Sequence, residues 1–242
     1  QMLDKEPAAL FEPRIQEHGI ELLTGTDVSE IIGNGDVKAV KLDKGKVIGC
    51  SIVVVGKGVQ PNIDLVKETE IKADEGILVD EYMGTAIPNI FAAGDVTQTY
   101  DPSLDQSVVN ALWPNAVEQG TIAGVNISGG HVQYDGSIGM NAVEFFNLPV
   151  ISMGLTRVKD GQNYQQFARK GDNSYKKLIV RDNRLVGGIF VGTLRNSGVY
   201  LELIKRKVDV STIIDQLLDL TFSYANVFDL IGKEDTAFVR DK

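Results

Sequence analysis

The chain has 242 residues, 43% hydrophobic and 24% charged, a size and balance suited to folded domains with real cores. Its 33 acidic residues against 24 basic ones leave a formal net charge of -9. That balance argues against non-specific nucleic-acid binding and against docking on anionic membranes, both of which need Lys and Arg.

The chain opens QMLDKEP, with neither a basic n-region nor an apolar h-region, so no signal peptide is expected. It enters helix-like sequence at once, which reads as a fragment of a longer protein. A helix is predicted over Pro7–His18, with Gly19 as its stop, and it either begins at Pro13 or is kinked there. Short strands are expected at Ile20–Leu23, Val28–Ile32, Val37–Leu42 and Val47–Val55. The turns Gly33-Asn34-Gly35-Asp36 and Asp43-Lys44-Gly45-Lys46 make the last three an antiparallel meander. Cys50, the one cysteine, excludes an internal disulfide, fits a reducing, cytoplasmic location and reads as a buried core thiol on its strand. No apolar run approaches the roughly 20 residues of a membrane span.

The third meander strand ends in Gly56-Lys57-Gly58-Val59-Gln60-Pro61-Asn62, glycines placed where the backbone turns tightly or approaches a ligand. Two more strands are expected at Gly76–Asp80 and Ile90–Val96. A polar loop over Tyr100–Asp105 then leads to a helix that ends near Asn126 and is closed by Gly129-Gly130. Pro114 suits its first turn. Beyond Tyr134 strands are expected at Met140–Phe146, Gln162–Arg169, Tyr175–Arg181 and Arg184–Val191, the last two joined by an Asp182-Asn183 turn. Helices follow at Ser197–Lys205 and Ser211–Leu218, making an α+β unit.

The sharpest chemical signal is Thr85-Ala86-Ile87-Pro88-Asn89-Ile90-Phe91-Ala92-Ala93-Gly94-Asp95-Val96. A strand ends in small residues, Gly94 follows, and the Asp95 carboxylate can accept hydrogen bonds from ligand hydroxyls at the sheet's carboxyl end. A lone Gly-Asp pair reads as a turn, but the whole string resembles the second FAD fingerprint of the pyridine nucleotide-disulfide oxidoreductase superfamily. By that resemblance Asp95 holds the ribityl chain of FAD and Gly94 brings the backbone close to it. Val53–Asn62 resembles the segment closing the family's NAD domain, which places Gly58 near the nicotinamide nucleotide. Ala111–Gly120 resembles the helix that follows the FAD aspartate, especially in NADH oxidases, NADH:rubredoxin reductases and the flavin module of nitrite reductases. Trp113, Pro114 and Asn115 then lie at the isoalloxazine, where the positive end of the helix dipole favours charge on the reduced flavin. The alternative for Trp113 is a surface helix on which it merely packs.

The resemblance implies an α/β fold with an α+β C-terminal part. It assigns residues 1–70 to an incomplete NAD(P)-binding Rossmann-like domain, 71–131 to an incomplete FAD-binding one, and 132–242 to an antiparallel-sheet interface domain. The implied activity of the parent is hydride transfer from NAD(P)H to FAD and electron transfer to an acceptor. The alternative is a non-catalytic assembly module. No Gly-x-Gly-x-x-Gly turn is present, and the family needs two, so these residues alone are expected to be inactive. No residue is assigned a catalytic role, and His18 and His131, far apart in sequence, give no metal site. Leu220–Val227 departs from the Tyr-Ala-Pro-Pro string of coenzyme A-disulfide reductase relatives, which puts a coenzyme A pocket in doubt. Expected partners are the cofactors, a small electron-transfer protein and a second copy bound through the C-terminal domain. Lys205-Arg206-Lys207 is either a surface for an acidic partner or a solvated helix face, and Lys176-Lys177 reads as a second short basic run.

Overall fold

A computed structural model of the chain describes residues 3–158, 163–219 and 222–231. It divides into two compact units, Glu12–Val59 and Gln1–Phe11 together with Gln60–Lys242. The fold is mixed α/β with antiparallel sheets, as expected.

The helix predicted over Pro7–His18 is two short ones, α1 (Lys5–Ala8) and α2 (Glu12–Glu17). Pro13 sits in the first turn of α2, where its missing N–H leaves no helix bond unmade, so the break falls just before it. Gly19 ends the helix at φ +72°, as expected. The meander is present as β1 (Val28–Asn34), β2 (Asp36–Leu42) and β3 (Val47–Gly49), in the order β1-β2-β3. Gly35 and Gly45 take φ of +85° and +88° at its two turns.

Three expectations fail in this unit. Ile20–Leu23 is not a strand, and β3 stops at Gly49 instead of Val55. Past Gly49 the Cys50 N–H makes one last bond to the Lys38 carbonyl at 3.0 Å, no described strand pairs with Ile20–Leu23 or with residues 51–55, and an extended run without a hydrogen-bonded neighbour has no ladder. Ile52 and Val54 are 79% and 89% exposed. Cys50 lies just past β3 and is only half-buried, so it is not the buried strand thiol expected.

In the larger unit, β4 (Ile77–Leu78), β5 (Thr97–Asp101) and β6 (Gln106–Val108) form a three-stranded sheet, with β4 and β5 parallel. The strand expected at Ile90–Val96 is absent, and only Phe91 makes an isolated bridge, to Gly84. Gly94, at φ +87°, starts a turn there, and the ladder resumes at Thr97. The supposed polar loop over Tyr100–Asp105 is the end of β5 and the tip of the β5–β6 hairpin. Helix α3 (Trp113–Ile127) runs where expected. Its buried face carries Gln119, Ile122 and Ala123, at the i, i+3, i+4 spacing of one helical face. Ile122 and Ala123 pack with Met83 and Tyr134 in a small core.

The C-terminal sheet has strands β7 (Met140–Phe145), β8 (Leu148–Gly154), β9 (Gln165–Lys170), β10 (Tyr175–Arg181) and β11 (Arg184–Val191), in the order β7-β8-β11-β10-β9. The expected start of β9 at Gln162 lies outside the described residues, as do Leu220 and Thr221. Strand β8 was not expected. It follows a two-residue turn, Phe146-Asn147, with both residues at positive φ, the primed geometry that suits a hairpin. That turn usually announces itself with glycine, which is missing here, and Pro149 disguises the strand further. Helices α4 (Ser197–Lys205) and α5 (Ile214–Leu218) bury Tyr200, Leu203, Ile204 and Leu217 with Leu178 and Val180 of β10. Each such aliphatic side chain contributes about 1.5–3 kcal/mol by leaving water.

The short basic run Lys176-Lys177 is buried, each residue 6% exposed. Strand alternation sends the two to opposite faces of β10. Lys176 Nζ donates to Tyr200 Oη at 2.9 Å and to the carbonyls of Leu217 and Asp219 at 3.2 and 2.7 Å. On the other face Lys177 pairs with Asp4, while Tyr175 Oη donates to Glu6 Oε2 at 3.2 Å and Phe11 meets Phe145 edge-on at 5.8 Å. Residues 3–11 therefore belong with the C-terminal sheet. Of the run Lys205-Arg206-Lys207, Lys205 and Arg206 are exposed, while Lys207 is half-buried and has partners. It sits past α4 at φ +50°, donates to Tyr100 Oη at 2.8 Å and pairs with Asp105 at 3.5 Å. Among the described residues no helix is long and apolar enough to cross a membrane.

Candidate functional site

The Gly94-Asp95 pair forms the corner of a tight turn. The Gly94 carbonyl accepts the Thr97 N–H at 2.9 Å, which makes Gly94 the first and Asp95 the second residue of a four-residue turn. The same carbonyl also accepts the Thr97 hydroxyl at 2.8 Å. The φ of +87° at residue 94 is readily reached by glycine alone. A Cβ there would meet Ala116 Cβ at 3.6 Å, an ordinary contact, so within this chain the demand for glycine is conformational and not one of space.

The turn is fastened to α3 by one side chain. Gln119, 2% exposed, accepts the Gly94 N–H on Oε1 at 2.8 Å and faces the Thr97 hydroxyl at 2.9 Å with the same atom. Its Nε2 donates to Tyr134 Oη at 3.2 Å and to Thr99 Oγ1 at 3.5 Å. The amide orientation follows from chemistry, because a backbone N–H only donates and must face the oxygen. Asp95 itself is exposed, its carboxylate standing at the corner of a turn whose backbone is held on both sides.

The start of α3 is a second element of the site. Leu112, at the N-cap position, offers no capping side chain, the first turn holds no acidic residue, and a proline occupies its start. The first helix bond runs from Ala116 N–H to the Leu112 carbonyl at 3.0 Å, so the N–H groups before it have no intrahelical acceptor. These donors and roughly half a positive charge from the helix dipole are available to a negative ligand. Trp113 is 84% exposed and Pro114 is exposed, while Asn115 is half-buried and its amide donates to the Asn110 carbonyl at 3.2 Å.

Asn110 carries that tie into the fold. Its amide donates to Asp101 Oδ2 at 3.0 Å and to the Ser137 carbonyl at 3.0 Å. Asp101 is 1% exposed, and its carboxylate also accepts from Ser103 and, at 3.3 Å, from the Gly139 N–H. The helix start, the β5–β6 hairpin and the entry to β7 thus share one polar network.

Of the six residues that the sequence nominates, Gly94, Asp95, Trp113, Pro114 and Asn115 fall in the larger unit, with Gly94 and α3 joined through Gln119. Gly58 falls in the smaller unit, exposed and at φ +89°, with nothing within 4 Å of a Cβ built there. Gln119 and Asp101 were not singled out. For Gln119 a signal existed: Ile122 and Ala123, three and four residues on, mark its face of the helix as buried.

An exposed carboxylate and an uncapped helix start offer a ligand a charged acceptor and backbone donors. Both halves of the chain resemble known proteins. Residues 1–120 match the pyridine nucleotide-disulphide oxidoreductase family, and residues 140–208 match the rubredoxin NAD+ reductase C-terminal domain. The chain is 28% identical over 213 residues to the NADH-dependent phenylglyoxylate dehydrogenase subunit epsilon of Aromatoleum evansii, covering 87% of this chain and 50% of that one. It is 26% identical to the NADH-rubredoxin oxidoreductase of Clostridium acetobutylicum, covering 90% and 51%. A NAD-dependent persulfide reductase from A. fulgidus superposes with a TM-score of 0.77 at 28% identity, over 92% of this chain and 44% of that one. The chain therefore spans about half the length of these relatives.

Proposed function

Because this chain belongs to the pyridine nucleotide-disulphide oxidoreductase superfamily, we propose that it supplies the ribityl anchor, the flavin-facing helix and the interface domain of an FAD-dependent NAD(P)H oxidoreductase. In this reading residues 1–70, 71–131 and 132–242 belong to the NAD(P)-binding, FAD-binding and interface domains, with residues 3–11 of the first packed on the sheet of the third. The observation that carries it is the exposed Asp95 carboxylate on a turn locked by Thr97 and Gln119.

Asp95 accepts hydrogen bonds from the ribityl hydroxyls. Gly94 supplies the left-handed backbone that points Asp95 outward. The N-terminus of α3 stabilises negative charge at the isoalloxazine, and Trp113, Pro114 and Asn115 form its wall. Gly58 gives the nicotinamide nucleotide a close backbone approach. FAD, when bound, supplies the redox chemistry, accepting hydride from NAD(P)H and releasing electrons to the acceptor. These 242 residues contain no glycine-rich pyrophosphate turn, so turnover is assigned to the full product of the gene and not to this stretch.

The matched rubredoxin reductase domain and the named NADH-rubredoxin relative support a small electron-transfer protein as one acceptor. The exposed edge strand β7, with Met140, Val143 and Phe145 open to solvent, supports a homodimer through the C-terminal domain. A single cysteine suits a reducing, cytoplasmic compartment. The direct test of the anchor is Asp95→Ala in the full gene product. Loss of flavin on gel filtration is expected, and retention at the wild-type level would remove Asp95 from the site.

A further inference from the structure

We propose that Gln119 is a positioning residue for the flavin-anchoring carboxylate, setting where Asp95 stands without touching the ligand itself. The inference rests on the flavin reading of Asp95 but concerns a residue that reading does not use. Gln119 has four polar contacts, and each goes to a group that defines the turn or its support. Its oxygen takes the Gly94 N–H and faces the Thr97 hydroxyl, the groups on either side of Asp95. Its nitrogen binds Thr99 on β5 and Tyr134, 5% exposed, in the small core. One buried amide therefore links the turn to the helix, the strand and the core. The Thr97 hydroxyl keeps the Gly94 carbonyl as an acceptor, but the Gly94 N–H would otherwise face the apolar side of α3, where an unmet donor is costly. Removing the Gln119 oxygen leaves the turn free to rotate toward solvent, which moves the corner residue most.

The spacing makes Gln119 specific. Asn would hold the same amide one methylene short of Gly94, and Met would fill the space without an acceptor. Glu keeps an oxygen for both donors, and Tyr134 Oη can turn to donate to its second oxygen.

The test measures FAD affinity of the flavin-stripped full gene product, in the wild type, in Gln119→Met, Gln119→Asn and Gln119→Glu, and in each combined with Asp95→Asn. The Met and Asn variants are expected to weaken FAD by about 10–100-fold, a few kcal/mol at tenfold per 1.4 kcal/mol, and the Glu variant to recover most of that loss. In the Asp95→Asn background the same Gln119 changes are expected to add little, because the group they position has already lost its charge. Equal losses in both backgrounds, or wild-type affinity in Gln119→Met and Gln119→Asn, would overturn the inference. If the wild-type product takes up no FAD, the flavin reading falls instead, and amide exchange then decides the positioning role. Faster exchange at Gly94–Thr97 in Gln119→Asn, with β10 and β11 unchanged, supports it, and unchanged exchange at the turn overturns it.

Discussion

The Lys176 ammonium lies 2.9 Å from Tyr200 Oη inside the core of the C-terminal sheet, 5.3 Å from the centre of the same ring. Burial pulls its pKa down from 10.5 to about 8, with the Arg169 charge adding to the fall and the Asp219 charge opposing it. The unfolded chain therefore holds this proton more tightly between pH 8 and 10.5. Stability contributed by Lys176 is present above the unfolded value and is lost as pH falls through about 8. Urea unfolding of the wild type minus that of Lys176→Met is expected to rise across that window. Tyr175, pushed up to about 12 by burial and by Glu6, and Tyr200, raised by burial, work in the opposite sense above pH 10, so the contribution of the lysine is read from the rise between pH 8 and 10. A difference that is flat from pH 8 to 10.5 would refute the assignment.

Asp4 and Lys177 tie residues 3–11 to the sheet. The Lys177 side chain is 8% exposed, and Asp4 is its charge partner. Asp4→Ala leaves a buried ammonium with, among the described residues, the Thr156 carbonyl at 3.4 Å, a loss of about 1–3 kcal/mol. Asp4→Ala with Lys177→Met is expected to recover much of it, because removing both partners removes the unpaired charge. A double variant no more stable than Asp4→Ala would show that the pair is not coupled.

Leu203 is fully buried between α4 and the sheet. Leu203→Ala is expected to destabilise by about 2–5 kcal/mol through lost burial and the cavity left behind. Asp95→Ala, at an exposed corner, is expected to stay within about 0.5 kcal/mol of the wild type. Chemical denaturation of the flavin-free product separates the two, and similar losses would contradict the division between core and site.

Trp113, the one tryptophan of these 242 residues, is 84% exposed at the start of α3. The emission that Trp113→Phe removes from the full gene product therefore reports one place. Added FAD is expected to quench it in the wild-type product and much less in Asp95→Ala at the same FAD concentration. FAD binding measured independently without any change in Trp113 emission would move the isoalloxazine away from this helix.

What could be read in advance was local. The β10–β11 hairpin was legible because Asp182-Asn183, at φ +51° and +60°, interrupts two apolar runs. The Asp95 string was legible because its residues are adjacent. Gln119 was not assigned a role, since its partner Gly94 lies 25 residues away and only the fold brings them within 2.8 Å. The burial of Lys176 and Lys177 is not legible in the sequence for a related reason. Their acceptors, Leu217, Asp219 and Asp4, are supplied by distant segments on opposite faces of one strand. The expected strands at Ile20–Leu23 and beyond Cys50 have the right residues but no described strand beside them.

The central claim, that this chain anchors the flavin of an NAD(P)H oxidoreductase, is tested most directly by the visible absorption of the purified full gene product before and after anaerobic addition of NADH. The account predicts the yellow absorption of oxidised flavin and its bleaching by stoichiometric NADH. A colourless product that takes up no added FAD and does not oxidise NADH would contradict it.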